Sequence, residues 1–167
     1  MLAGVTVALA DMTWAVLWVR ATHGTSALRV FQSVASGLLG PAAFQGEWRT
    51  ALLGVTLHTT IAFTWTVLFL VALVRSPRLR HWVSTRRGAV TVGLIYGALV
   101  WLVMDWLVLP LSRARPTPPT ALWFWLQLLT HPFLVGLPIV GVLAGHLPRW
   151  VVPSTRPASM GDGRAHR

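Results

Sequence analysis

Four apolar runs, each about as long as a bilayer is thick, constrain this chain more than any other feature: residues 2–19, 51–74, 88–109 and 121–147. A membrane-spanning helix needs about 20 mostly apolar residues, within a range of roughly 17–25. Hydrocarbon offers no partner to an unpaired backbone group, so each run is expected to close its hydrogen bonds as a helix. The expected fold is all-α: a polytopic membrane protein built as a four-transmembrane-helix bundle. An extra amphipathic interfacial helix is expected over about 26–39, between spans one and two. Residues 1–150 form the transmembrane domain on this reading. Residues 151–167, rich in Ser, Gly and Arg, read as a disordered cytoplasmic tail. The first run lacks a basic leader, and Asp11, Trp14 and Trp18 fit a cleaved signal segment badly, so it is read as retained.

Composition excludes several classes. Only 11% of residues are charged, against about 25% in a soluble domain. There is no Cys, hence no disulfide, thiolate metal site or cysteine nucleophile. The net charge of +10 comes from 14 Arg, with no Lys and four acids. These arginines sit between apolar runs, where they act as topology signals, so nucleic acid is not an expected partner. The lipid bilayer is, and neither a protein partner nor a homo-oligomer is assigned.

An even number of spans puts both termini on one side. Arg75, Arg78, Arg80, Arg86 and Arg87 share that side with Arg149, Arg156, Arg164 and Arg167. Arg20, Arg29, Arg49, Arg113 and Arg115 lie opposite. The positive-inside rule then makes both termini cytoplasmic, in a bacterial inner membrane. Trp18, Trp48, Trp106, Trp123 and Trp125 fall at the outer interface, Trp82 and Trp150 at the inner one.

The second loop reads as short and basic, and the third, with Pro116, Pro118 and Pro119, as a stiff strap. In the first loop, Thr25 is placed to cap a helix that Gly40 and Pro41 end. There Arg29, Gln32, Ser33 and Ser36 form a polar stripe, and Val30, Phe31, Val34 and Leu38 an apolar face. Such a helix is too short to span and is expected on the outer surface or as a re-entrant lid.

Small residues mark the packing faces, because lipid already satisfies apolar side chains. Gly93 and Gly97 form a GxxxG in span three, extended back by Ala89. Gly4, Ala8, Asp11 and Ala15 share a face of span one, and Gly54, His58, Ala62 and Thr66 a ridge of span two. The ionisable groups on these faces should turn inward, since facing lipid costs about 2.5–3.5 kcal/mol each. At about 1.5 Å of rise per residue, Asp11, His58 and His131 all fall roughly 12–15 Å below the outer end of their spans. Asp105 and Gln127 lie higher, at about 6–9 Å. With Arg29 and Gln32 they are expected to form an outer mouth, Arg29 contacting Asp105. Pro132 and Pro138 free the carbonyls of Leu128 and Leu134, giving either a kink or a broken helix at a binding site.

The Asp11, His58 and His131 set allows three readings: a hydrogen-bonded cluster fixing helix register, a proton or small-solute path, or a metal or haem site. In the last, His58 and His131 would be the ligands. No cofactor is otherwise expected. The sequence has no Walker A, Gly-x-Ser-x-Gly or His-Glu-x-x-His motif, and no catalytic residue is assigned.

The stretch from Arg29-Val30-Phe31-Gln32-Ser33 through Gly37 to Gly40 resembles the YagU-like family of small bacterial inner-membrane proteins. So do His58, Leu109-Pro110-Leu111 before the Pro-rich strap, and His131. The resemblance covers most of residues 2–147 and implies a four-span bacterial inner-membrane protein, without supplying an activity or site residues. The function expected is that of a small channel-like, transport-accessory or membrane-stress protein with an internal Asp/His cluster. A bis-His haem electron carrier and a structural subunit of a larger membrane complex are the alternatives.

Overall fold

The computed structural model describes residues 2–115 and 120–146. The strap prolines, Trp150 and the expected disordered tail lie outside the described residues. Six helices follow in order: α1 (Leu2–His23), α2 (Ala27–Leu39), α3 (Glu47–Arg75), α4 (Pro77–Val83), α5 (Arg86–Leu111) and α6 (Ala121–Gly145). A 3₁₀ segment, Gly40–Gln45, joins α2 to α3. No strand occurs among the described residues. α1, α3, α5 and α6 are long and apolar enough to cross a membrane. At about 1.5 Å per residue, even α1 reaches roughly 33 Å, more than a hydrocarbon core of about 30 Å.

Local chemistry sets the helix ends. Ser76 accepts a hydrogen bond from the Leu79 amide, with Pro77 at the first helical turn. Thr85 caps α5 through Gly88, and Thr120 caps α6 through Trp123. The second loop is therefore more than a basic linker: it contains α4, and Arg80 donates back to the Leu73 carbonyl at the C-terminus of α3.

α2 differs from expectation at its start and on its faces. It begins at Ala27, and Ser26 rather than Thr25 holds the N-cap position. Gly40, at φ 65°, ends it. Two members of its polar stripe, Gln32 and Ser36, are buried. α2 packs chiefly on α3, so closely that a Cβ on Gly54 would overlap the Phe31 carbonyl. The Gln32 amide is satisfied there by donating to the Glu47 carbonyl at 3.0 Å. A polar side chain is buried readily where such a partner is fixed in place.

α5 and α6 share an irregularity. Each contains one five-residue π-turn, Met104–Val108 in α5 and Pro132–Gly136 in α6. In each, the turn ends two residues before a proline, Pro110 or Pro138. Neither proline offers an amide to the carbonyl four residues earlier, Trp106 or Leu134, and that residue is the centre of the π-turn. The helix widens where its regular bonding is broken.

The two π-turned helices meet at glycines. A Cβ on Gly136 would overlap the Gly93 carbonyl, and one on Gly97 would lie 2.6 Å from the His131 carbonyl. The bundle is dense at the end carrying α4, where Phe69, Leu73, Val100, Ile139 and Val140 are buried together. Tyr96 donates from its hydroxyl to the Trp65 carbonyl, tying α5 to α3 at 2.6 Å. Toward α2 the bundle opens.

Candidate functional site

The opening is a cavity of about 360 Å³ to which α1, α2, α3, α5 and α6 all contribute. That volume lies in the range of small-molecule sites, roughly 300–1,000 Å³. Val7, Ala62, Val100 and Val135 belong both to its lining and to the dense half of the bundle or its margin, so they form its floor.

Three ionisable side chains from three helices meet above that floor. His58 Nε2 lies 3.7 Å from Asp11 Oδ2, and His131 Nε2 lies 3.9 Å from Asp11 Oδ1. The three side chains are only 14–20% exposed. Their helices hold them there through small residues. Gly97 lets α5 approach the His131 backbone, and Ala8, one turn before Asp11, is buried against the core. The Trp101 ring stands edge-on to the His131 imidazole at 6.4 Å.

The hydrogen bonding of the two imidazoles differs. His131 Nδ1 lies 2.9 Å from the Gln127 carbonyl oxygen. A carbonyl only accepts, so Nδ1 carries the proton in this bond. In a neutral ring Nε2 is then a bare lone pair, and it faces the Asp11 carboxylate. His58 Nε2 is buried with no hydrogen-bond partner. A lone pair facing a carboxylate is repulsive unless a positive charge lies on or between them.

The expected mouth residues separate into two pairs. Asp105 and Gln127 line the cavity. Arg29 and Gln32 do not: the Arg29 guanidinium stands 5.7 Å over the Phe44 ring, and Gln32 is turned into α3. The expected Arg29–Asp105 contact is absent. The ion pairs within 4.0 Å among the described residues are those of Asp11 with the two histidines. Arg29 is exposed, whereas Gln32, three residues on in the same stripe, is buried against α3.

Sequence reasoning missed other wall residues. Ser33 and Gly37 of α2, Trp101 of α5, Ser112 just after α5, and Trp65 of α3 line the cavity. Asp105 lies within one π-turn and His131 directly precedes the other. The paired prolines were the available signal for both positions.

Asp11 and Asp105 line this cavity, and no arginine among the described residues does. The arrangement offers carboxylate oxygens and imidazole nitrogens to a small positively charged or hydrogen-bond-donating guest. Among the described residues, no group of three or more His, Asp or Glu side chains is arranged to hold a metal ion. No family model, curated protein or solved structure matches the chain. These comparisons lend no support to the resemblance to the YagU-like family.

Proposed function

We propose that this chain is a small integral membrane protein of channel-like or transport-accessory type, in which the cavity brings protons and small cations to the Asp11–His58–His131 cluster. One observation carries the reading: two imidazole Nε2 atoms are turned onto a single carboxylate, neither close enough to hydrogen-bond it. A proton shared among these groups relieves the mismatch, and intramembrane Asp and His are the usual relay groups. The Arg-free lining supports a cation over an anion.

The excess of Arg beside α4 supports cytoplasmic termini in a bacterial inner membrane. On that orientation the cavity faces outward, and α2, about 20 Å long, lies at the interface as its rim.

Reconstitution into vesicles containing a pH-sensitive dye tests the proposal. Under a potassium diffusion potential, the wild type should acidify or alkalinise the lumen faster than empty vesicles, and Asp11→Asn should abolish the difference. Flux equal in wild type, variant and empty vesicles would overturn the reading. A Soret band in the purified protein would replace it with the bis-His haem carrier, the imidazoles having turned from Asp11 to an iron.

A further inference from the structure

Beyond the polar cavity, a second hollow of about 340 Å³ opens among α1, α2 and α3. Its wall is apolar: Leu9, Met12, Val16 and Leu17 from α1, Phe31 from α2 and Val55 from α3. His58 lines this groove as well as the polar cavity. The imidazole is thus a shared wall, with the Asp11 cluster on one side and hydrocarbon surroundings on the other.

The α1 residues follow one helical face at spacings of three and four. Continued by one turn, that face arrives at Arg20, four residues after Val16 and three after Leu17. Arg20 is exposed and lies in the last turn of α1. From Leu9 to Arg20 the helix rises about 16 Å, close to half of a hydrocarbon core of about 30 Å. An apolar groove about one leaflet long, with a guanidinium on the same helical face one turn beyond it, matches an acyl chain in length and complements a lipid phosphate in charge.

We infer that this groove binds a single glycerophospholipid, one acyl chain lying along Leu9–Leu17 and its phosphate on Arg20. Guanidinium and phosphate match in charge and in planar donor geometry. The chain end reaches the Thr59–His58 level and closes the groove side of the His58 ring. The bound lipid thereby shields the Asp11 cluster from the bilayer, leaving the polar cavity as its approach.

Photolabelling of the full-length protein in phosphatidylcholine vesicles tests this, using trace phosphatidylglycerol with a diazirine at the end of one acyl chain. Labels should concentrate on Leu9, Met12 and Val55–Thr59 over the exposed lipid-facing residues Leu68 and Ile95. Arg20→Gln should lower the groove labelling about tenfold, the worth of one charge-assisted contact. Met12→Trp, which fills the groove, should remove it while leaving Leu68 labelling unchanged. Should Met12→Trp not fold, Arg20→Gln decides alone. Even labelling of Leu9, Leu68 and Ile95 would reduce the groove to ordinary lipid contact and overturn the inference. So would groove labelling indifferent to Arg20→Gln, or a crosslink there to a second copy of the chain. Proton flux is not read in this experiment, so the result stands apart from the function proposed for the cavity.

Discussion

Gly97 lies so close to the His131 carbonyl that a single added methyl carbon would stand 2.6 Å from that oxygen. The contact sets where α6 crosses α5, and hence where the His131 ring begins. Gly97→Ala must push α6 away from α5 or twist it, at a cost of about 1–3 kcal/mol for overpacking. Gly141→Ala is the control, since nothing lies within 4 Å of its added Cβ. Thermal unfolding in detergent should show a lowered midpoint for Gly97→Ala and an unchanged or raised one for Gly141→Ala. Equal midpoints would show that the glycine contact does not position His131.

Gln32 joins α2 to the first turn of α3 through the Glu47 carbonyl and, more weakly, the Thr50 hydroxyl at 3.4 Å. It is 2% exposed. Gln32→Ala leaves that attachment unmade and should cost about 1–3 kcal/mol, falling on α2 first. Hydrogen exchange should become faster across Ala27–Leu39 while α5 keeps its protection. Uniform loss of protection through the bundle would instead make Gln32 part of the global core.

The four long apolar helices were legible because their length and apolarity are written directly in the sequence. α4 was also within reach, since Ser76-Pro77 is a helix-start pair, although the five arginines around it carry a topology signal as well. The faces of α2 were misread for a physical reason. A polar stripe marks the water-facing side only if no buried acceptor waits for it, and the Glu47 carbonyl supplies one to Gln32. Depth estimates brought Asp11, His58 and His131 to one level, but sequence spacing fixes height far better than azimuth. The exposed Arg29 shows that limit: its height suited Asp105, and its direction did not.

Topology has a clean test because the chain contains no Cys. Thr25 lies between α1 and α2, and Ser84 just after α4, at opposite ends of the spanning helices. In intact cells, a membrane-impermeant thiol reagent should label Thr25→Cys and leave Ser84→Cys unmodified until the membrane is opened. The reverse pattern would invert the orientation and turn the cavity toward the cytoplasm.

Asp105 shares the cavity with the Asp11 cluster, yet no ion pair within 4.0 Å joins it to an arginine among the described residues. If its carboxylate serves as a way-station for cations, Asp105→Asn should slow vesicle proton flux about a hundredfold or more, the scale of a positioned proton-transfer group. Folding stability should change little. Flux at the wild-type rate would place the entry route elsewhere.

Nitrogen NMR of histidine-labelled protein in lipid bilayers reads directly whether Asp11 acts on both imidazoles at once. The chain has six histidines, of which only His58 and His131 lie within 4.0 Å of a carboxylate among the described residues. Asp11→Asn should shift the ring-nitrogen signals of both while those of His23, His81 and His146 stay fixed. The His131 Nδ1 signal should remain that of a protonated nitrogen, held by the Gln127 carbonyl. Unchanged spectra for His58 and His131, or a shift in only one of them, would contradict a shared cluster.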